Sequence, residues 1–262
     1  MIDVCIPLGT GSKADDFELR ICLRAWEQNF AELGRVFICG HYPAWLKCVE
    51  HLDVPDSDRH DKDANLVRKL LAACEAGISK QFVRCSDDEF LMLPSTAADL
   101  KPYHAGDLAN RVGSKTYWDG GWKLRLRATG HWLRLRNKPT LHYDTHLPKL
   151  YDRDLFVQIM RDFPRDAYEH ARPKRGKWTR LPKKVGFTID TMYCNMSGYV
   201  NPPQLTTELL ALTDGSAKWN VAKIYRKLDG KRYVNCNDTG LTDAEKQVLS
   251  ELFPNPSRFE KV

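Results

Sequence analysis

The stretch Gln81–Leu93, QFVRCSDDEFLML, constrains this chain more tightly than any other. A short apolar run, Phe82 to Cys85, gives way to Asp87, Asp88 and Glu89, and apolar residues resume at once with Phe90 to Leu93. Flanks of that composition belong inside a fold. The carboxylates between them are drawn toward low dielectric, where they repel one another unless a cation or several donors sit among them. An open α/β sheet accommodates this by ending a buried strand at its carboxyl edge and presenting the acids to a ligand such as a divalent metal. A solvated turn between two strands satisfies the same string, so the acids alone do not separate the two readings.

The rest of the N-terminal third alternates strand and helix. Ile2 to Leu8 reads as a strand leaving through PLGTGS, Pro7 to Ser12. This glycine-rich turn can bring backbone N–H groups against a phosphate or a base, although it is neither a Walker loop nor GxGxxG. Asp15 to Leu33 is an expected helix, with Leu19, Leu23, Trp26 and Phe30 on one face and Gly34 as its stop. Strands are expected at Val36–Cys39 and Val49–Val54. A second helix runs from Lys62 to about Ala76, with Leu66, Leu70 and Ala73 inward and Asn65, Arg68 and Lys69 off that line. Residues 1–93 therefore read as a nucleotide-binding half, and 94–262 as an acceptor-side elaboration of the same single domain.

Beyond Pro94 the pattern turns largely helical. Helices are expected at Trp122–Arg136, Asp152–Phe163, Ile189–Met196 and Trp219–Leu228, and a last one at Asp243–Leu252 behind a Thr242/Glu245 capping box. Leu141 to Lys149 reads as a strand entering a turn that carries His142, Asp144 and His146, and Tyr233 to Cys236 as a late strand. Eight cysteines without a CxxC pair, five of them inside apolar runs, read as buried free thiols of a reducing compartment. The net charge of +6 fits an anionic substrate such as a nucleotide, nucleic acid or acidic glycan. Arg172–Lys184 alone carries seven basic residues and Trp178. No run approaches the roughly 18 apolar residues of a membrane helix. The expectation is a soluble, unprocessed protein of the cytoplasm, host cytoplasm if the chain is viral, with no protein partner indicated.

Several motifs in order resemble those of the Stealth proteins, hexose-1-phosphate transferases of capsule synthesis and lysosomal-enzyme tagging. DDFELRICLRAW, the Pro43–Leu46 turn PAWL and the Asp87–Asp88 doublet resemble their second region. LHYDTHLPKL resembles the third, with His146 and Pro148 at its histidine and proline positions. KRYVNCND, with Asn237 and Asp238, and LSELFPNPSRFE resemble the fourth. Two features depart from the family: CIPLGTGS replaces an aromatic-rich opening strand, and Lys69 falls near the place of an active-site glutamate. The resemblance implies a nucleotide-sugar transferase on a GT-A-like, Rossmann-like α/β fold with a mixed central sheet and a helical C-terminal elaboration.

On that basis Mn²⁺ or Mg²⁺ held by Asp87 and Asp88 would face a donor diphosphate, with Asp88 and His146 as the catalytic pair. Pro7, Gly9, Thr10, Gly11, Asn65, Arg68, Lys69 and Asp87 would bind the donor. Lys174, Arg175, Lys177, Trp178, Asp190, Lys231 and Arg232 would line the acceptor or phosphate side. Three readings stay open. The first is a metal-dependent glycosyltransferase using a UDP-sugar on a polymeric anionic acceptor, for which a hydroxymethylated base in viral DNA is one candidate. The second is a Stealth-like sugar-1-phosphate transferase that releases UMP from a donor and acts on a glycan. The third is a non-catalytic nucleic-acid-binding protein.

Overall fold

The computed structural model describes residues 1–57, 62–112, 121–162, 187–205, 207–237 and 240–261. The basic stretch 172–184 and Asp238 lie outside them. Among the described residues a five-stranded sheet has the order β3-β2-β1-β4-β6. It is built from β1 (Ile2–Leu8), β2 (Leu33–Gly40), β3 (Glu50–Leu52), β4 (Gln81–Arg84) and β6 (Lys149–Asp152). The first four strands run parallel, and β6 pairs antiparallel with β4, so the sheet is mixed, as the resemblance implied. A second sheet, β5-β8-β7, joins β5 (Glu89–Leu91), β8 (Tyr233–Cys236) and β7 (Leu209–Leu212).

Both faces of the main sheet are covered, which explains why its strands are near-continuous apolar runs. Val4, Ile6, Leu8, Ile38 and Val83 face a core shared with α1 (Phe17–Asn29), the second sheet and α8 (Asp243–Leu252). Cys5, Phe37, Phe82 and Tyr151 point the other way, toward α2 (Lys62–Glu75), α4 (Gly121–Arg134), α5 (Arg153–Asp162) and α6 (Ile189–Met196). The remaining helices are α3 (Leu108–Val112) and α7 (Val221–Leu228). All eight cysteines are free thiols, and only Cys48 is exposed. No helix among the described residues is long and apolar enough to cross a membrane.

Two expectations need correction. Helix α1 ends at Asn29, and Gly34 lies inside β2. Its role there is clearance: a Cβ at Gly34 would come within 2.6 Å of Asp3 Oδ1, whose carboxylate accepts from the Arg35 and Ser79 amides, both at 2.9 Å. Leu141–Pro148 forms no ladder strand. Side chains of α6 take the place of a neighbouring strand: the Leu141 amide donates to Asn195 Oδ1 (3.0 Å), Asn195 Nδ2 donates to the Leu141 carbonyl (2.7 Å), and the Tyr143 amide donates to Thr191 Oγ1 (3.1 Å).

The C-terminal segment is tied to α1 through one buried acid. Glu260 accepts from Arg24 Nε and Nη2, both at 2.7 Å, from Arg20 Nη1 at 3.3 Å and from the Ser257 amide at 2.9 Å. Arg20 also lies over the Trp45 ring, 3.9 Å from its centroid. The Lys47 amide donates to the Phe259 carbonyl (2.9 Å), and the Lys261 amide to that of Trp45 (2.7 Å). Burial alone would raise the Glu260 pKa, but the Arg24 hydrogen bonds and the Ser257 amide outweigh it and hold the carboxyl below its usual range. Glu260→Ala leaves Arg24 and the Ser257 amide without their acceptor. We expect it to lose about 3 kcal/mol in urea unfolding at pH 7. The gap should narrow as pH falls through the lowered Glu260 pKa, because protonation then removes the same charge from the parent.

Candidate active site

From β1 the chain steps outward to β2 and β3, then returns to β4 on the other side of β1. The connections after β1 and β4 therefore diverge at the carboxyl edge of the sheet. Such a switch point is where open α/β sheets hold ligands. A cleft of ≈ 960 Å³ occupies it, lined on one side by Gly9–Ser12 and on the other by Ser86–Glu89, with Asp144 and His146 at its β6 end.

The acidic triplet is divided in its work. Glu89 is buried and turned back into the fold, accepting from Arg84 Nη1 (3.2 Å) and the Ser86 amide (3.0 Å). Arg84 also faces Asp190 Oδ2 at 3.6 Å. Asp190 in turn accepts from Lys149 Nζ (3.2 Å) and the Tyr151 hydroxyl (2.7 Å). Burial would raise the Asp190 pKa, but Arg84, Lys149 and Tyr151 together hold it below the usual carboxylate range.

Asp87 and Asp88 line the cleft, and among the described residues neither makes an ion pair of that kind, although the charge of Lys62 acts on both. Burial pushes Asp87 up to about 6, helped by the negative charge of Glu18. Burial, then Glu89 and Asp87, push Asp88 up to about 8. Glu18, in the first turn of α1, lines the same cleft, and its Oε2 is buried without a hydrogen-bond partner. Desolvated carboxylate oxygens crowding one another suit a hard divalent cation. Among the described residues no group of three His, Cys, Asp or Glu converges as a metal cage. A cation here would take Asp87 and Asp88 and complete its shell from water and ligand oxygens, as Mg²⁺ commonly does.

Of the other residues singled out in the sequence, Pro7, Gly9, Thr10, Gly11, Asn65, Lys69, His146 and Asp190 all line the cleft. His146 is exposed and held at φ +50, on a turn whose carbonyl accepts from Asn235 Nδ2 (3.2 Å). Arg68 lies outside the lining, directed at the Pro55 carbonyl and Asn65 Oδ1. Lys231 and Arg232 also lie outside it, engaged by the Thr207 carbonyl and by Glu208 and Ser95. Lys174, Arg175, Lys177 and Trp178 fall outside the described residues.

Lys69 is an internal brace. Its Nζ donates to the Leu8 carbonyl (2.7 Å) and pairs with Asp56 (2.6 Å). Gly40, at φ +114, leaves room for it: a Cβ there would lie 2.3 Å from the Leu8 oxygen and 2.8 Å from Lys69 Cε. Sequence reasoning missed Glu18, Lys62, Trp122, Arg125 and Lys246, which also line the cleft. Glu18 had one available signal, its place in the first helical turn after the glycine-rich loop. The others sit in helices whose approach to the cleft only the tertiary fold decides.

Neither a protein-family model nor a curated protein matches the chain. Among solved structures it aligns with the bifunctional glycosyltransferase WbbM over 97% of its length, at 8% identity and a TM-score of 0.46. It aligns with the galactosyltransferase LgtC, solved with donor and acceptor sugar analogues, over 99% at 10% identity and 0.44. It also aligns with the glycosyltransferase GlyE of Streptococcus pneumoniae over 98% at 7% identity and 0.36. The alignments cover 50% of the WbbM chain, 98% of LgtC and 65% of GlyE.

A carboxyl whose pKa is raised on folding makes the folded state bind more protons than the unfolded chain, so its contribution to stability declines as pH rises through the folded value. For Asp87 and Asp88 that window runs from about 4 to 8. Asp88→Asn should therefore melt above the parent at pH 8 without divalent cations and close to it at pH 4. Equal melting temperatures at both pH values would show that Asp88 is not desolvated as described.

Proposed function

We propose that this chain is a divalent-cation-dependent glycosyltransferase that uses a nucleotide-sugar donor, a UDP-sugar in the first instance, on a GT-A-like arrangement of its parts. One observation carries the reading: two desolvated carboxylates, Asp87 and Asp88, face a glycine-rich loop across a cleft at the β1/β4 switch point. A nucleoside diphosphate satisfies that combination, because its phosphates bring both acceptors for the loop's N–H groups and oxygens for a cation. When bound, the cation would offset the negative charge that develops on the leaving diphosphate.

The chain's own groups divide the remaining work. Backbone N–H groups of Gly9–Ser12 would cradle phosphate oxygens, and Lys62 and Lys246, on the same cleft, would add charge. Asn65 and Asp56 border the β3 side, where the nucleoside would lie. His146, on the β6 side, would take the proton of the acceptor hydroxyl on a ring nitrogen as the sugar C1–phosphate oxygen bond breaks.

The Stealth-like alternative, transfer of sugar-1-phosphate, has support of its own. Residues from three of the resembling motifs, Arg20 and Arg24, Trp45, and Glu260, meet in one cluster, so those motifs are coupled by contact as well as by order. The Lys69 departure no longer weighs against that alternative, since its ammonium is engaged by Asp56 and Leu8.

Calorimetry with UDP should show binding that requires Mn²⁺ or Mg²⁺ and is lost in Asp88→Ala. Metal-independent binding that survives in the variant would overturn the proposal. Incubation with a panel of nucleotide sugars then separates the two chemistries: released UDP means glycosyl transfer, and released UMP means sugar-1-phosphate transfer.

A further inference from the structure

Among the described residues that line the cleft, Trp122 is the one large aromatic left open. It begins α4, lines the cleft and keeps 39% of its surface exposed. It is nonetheless fixed in place. Its indole N–H donates to Asp144 Oδ2, and the His142 ring meets it nearly perpendicularly with centroids 5.7 Å apart. One turn along α4, Arg125 pairs with Asp63 at the start of α2 at 2.6 Å, which holds the helix against the cleft wall. An exposed indole held from two sides presents a flat apolar surface at little entropic cost to whatever lies on it.

The residues around it narrow the occupant. His146 and Asp144 stand on the same turn, offering polar groups beside the flat ring. The cleft cations near this end are engaged: Arg84 by Glu89 and Asp190, and Arg125 by Asp63. The Asp144 carboxylate lies directly against the indole, and a negative charge there disfavours a phosphodiester backbone on the same ring. A pyranose matches both halves of this description, with one C–H face for the indole and hydroxyls for the polar rim. We propose that Trp122 is the platform for a neutral pyranose acceptor, and that Asp144 is the positioning residue holding the indole in place. The proposal rests on the glycosyltransferase reading and names its acceptor class. It departs from the anionic acceptor expected from the sequence.

The test is saturation-transfer NMR with the full chain, UDP and diamagnetic Mg²⁺. The probes are methyl α- and β-pyranosides of glucose, galactose, mannose and N-acetylglucosamine. Transfer should concentrate on the C–H protons of one ring face. Trp122→Ala should weaken binding about tenfold, and Trp122→Phe should recover most of it. Asp144→Ala should lower pyranoside affinity without moving UDP affinity, and Asp144→Asn, which keeps an acceptor oxygen, should restore it. Melting temperatures near the parent's guard against unfolding as the cause. If UDP–Mg²⁺ binds but no pyranoside does, or if Trp122→Ala leaves the transfer unchanged, the acceptor proposal is overturned and the donor reading survives. If UDP–Mg²⁺ itself fails to bind, the glycosyltransferase reading falls first. A thymidine decanucleotide that displaces the pyranoside in a Trp122-dependent, salt-sensitive way would assign the platform to a base and overturn the sugar class.

Discussion

The buried exchange of charge between Arg84 and Asp190 underlies the architecture of the cleft. Arg84 closes β4, Asp190 opens α6, and Lys149 and Tyr151 of β6 complete the set with Glu89 of the second sheet. Two cations and two anions taken from water together are tolerable only because each carboxylate also has hydrogen-bond donors. Removing one partner of such a pair typically costs about 3–5 kcal/mol, since the other charge is left buried and unmatched. The network therefore binds helix, sheet edge and second sheet into one floor. That floor takes Glu89 out of solution chemistry and leaves Asp87 and Asp88 to face the cleft beside Glu18.

A second charge cluster does related work elsewhere. Arg20 and Arg24 of α1 converge with the PAWL turn and the C-terminal FPNPSRFE on Glu260. Read along the chain, these are three unrelated strings some tens of residues or more apart. In space they are one contact, and each string is explained by the other two. The arginines need an acid, the acid needs amide donors, and the tryptophan needs a flat cation over it. Part of what makes the chain resemble a transferase family is thus packing chemistry rather than catalytic chemistry.

How much of this was legible in the sequence follows from range. Strands β1, β2 and β4 and helices α1, α2, α4 and α8 carry local apolar periodicity, and their assignment required no knowledge of neighbours. The acids at 87 and 88 were visible because a buried strand on either side makes carboxylates conspicuous. The segment 141–148 was misread as a strand because its partners are side chains of α6 along one edge and an isolated bridge to residues 105–107 along the other, and no local pattern encodes either. Lys69 could be placed off the apolar line of α2 from the sequence, but its contacts with the Leu8 carbonyl and Asp56, and the room left for it at Gly40, are set by the tertiary fold. Trp122 read as one point on a helical face, and only the tertiary fold set its indole against Asp144.

The short connection between β4 and β5 carries an implication of its own. Cys85 to Asp88 is the whole span in which the chain leaves one sheet and enters the other, and the two aspartates are half of it. Its length is consequently a structural quantity, in the way that loop length is in a hairpin. Adding or deleting one residue would leave both β-sheets with their composition, yet it would turn the alternation of β5 by one step. Glu89 would then point away from Arg84, and an apolar neighbour would take its place against the guanidinium. Substitutions in this connection change its chemistry one side chain at a time, whereas an insertion would shift Phe90 and Leu91 together against the core they share with β1, β2 and α1. Among natural variants of such a site, the spacing between the two strands should be held more tightly than the identity of any single residue within it.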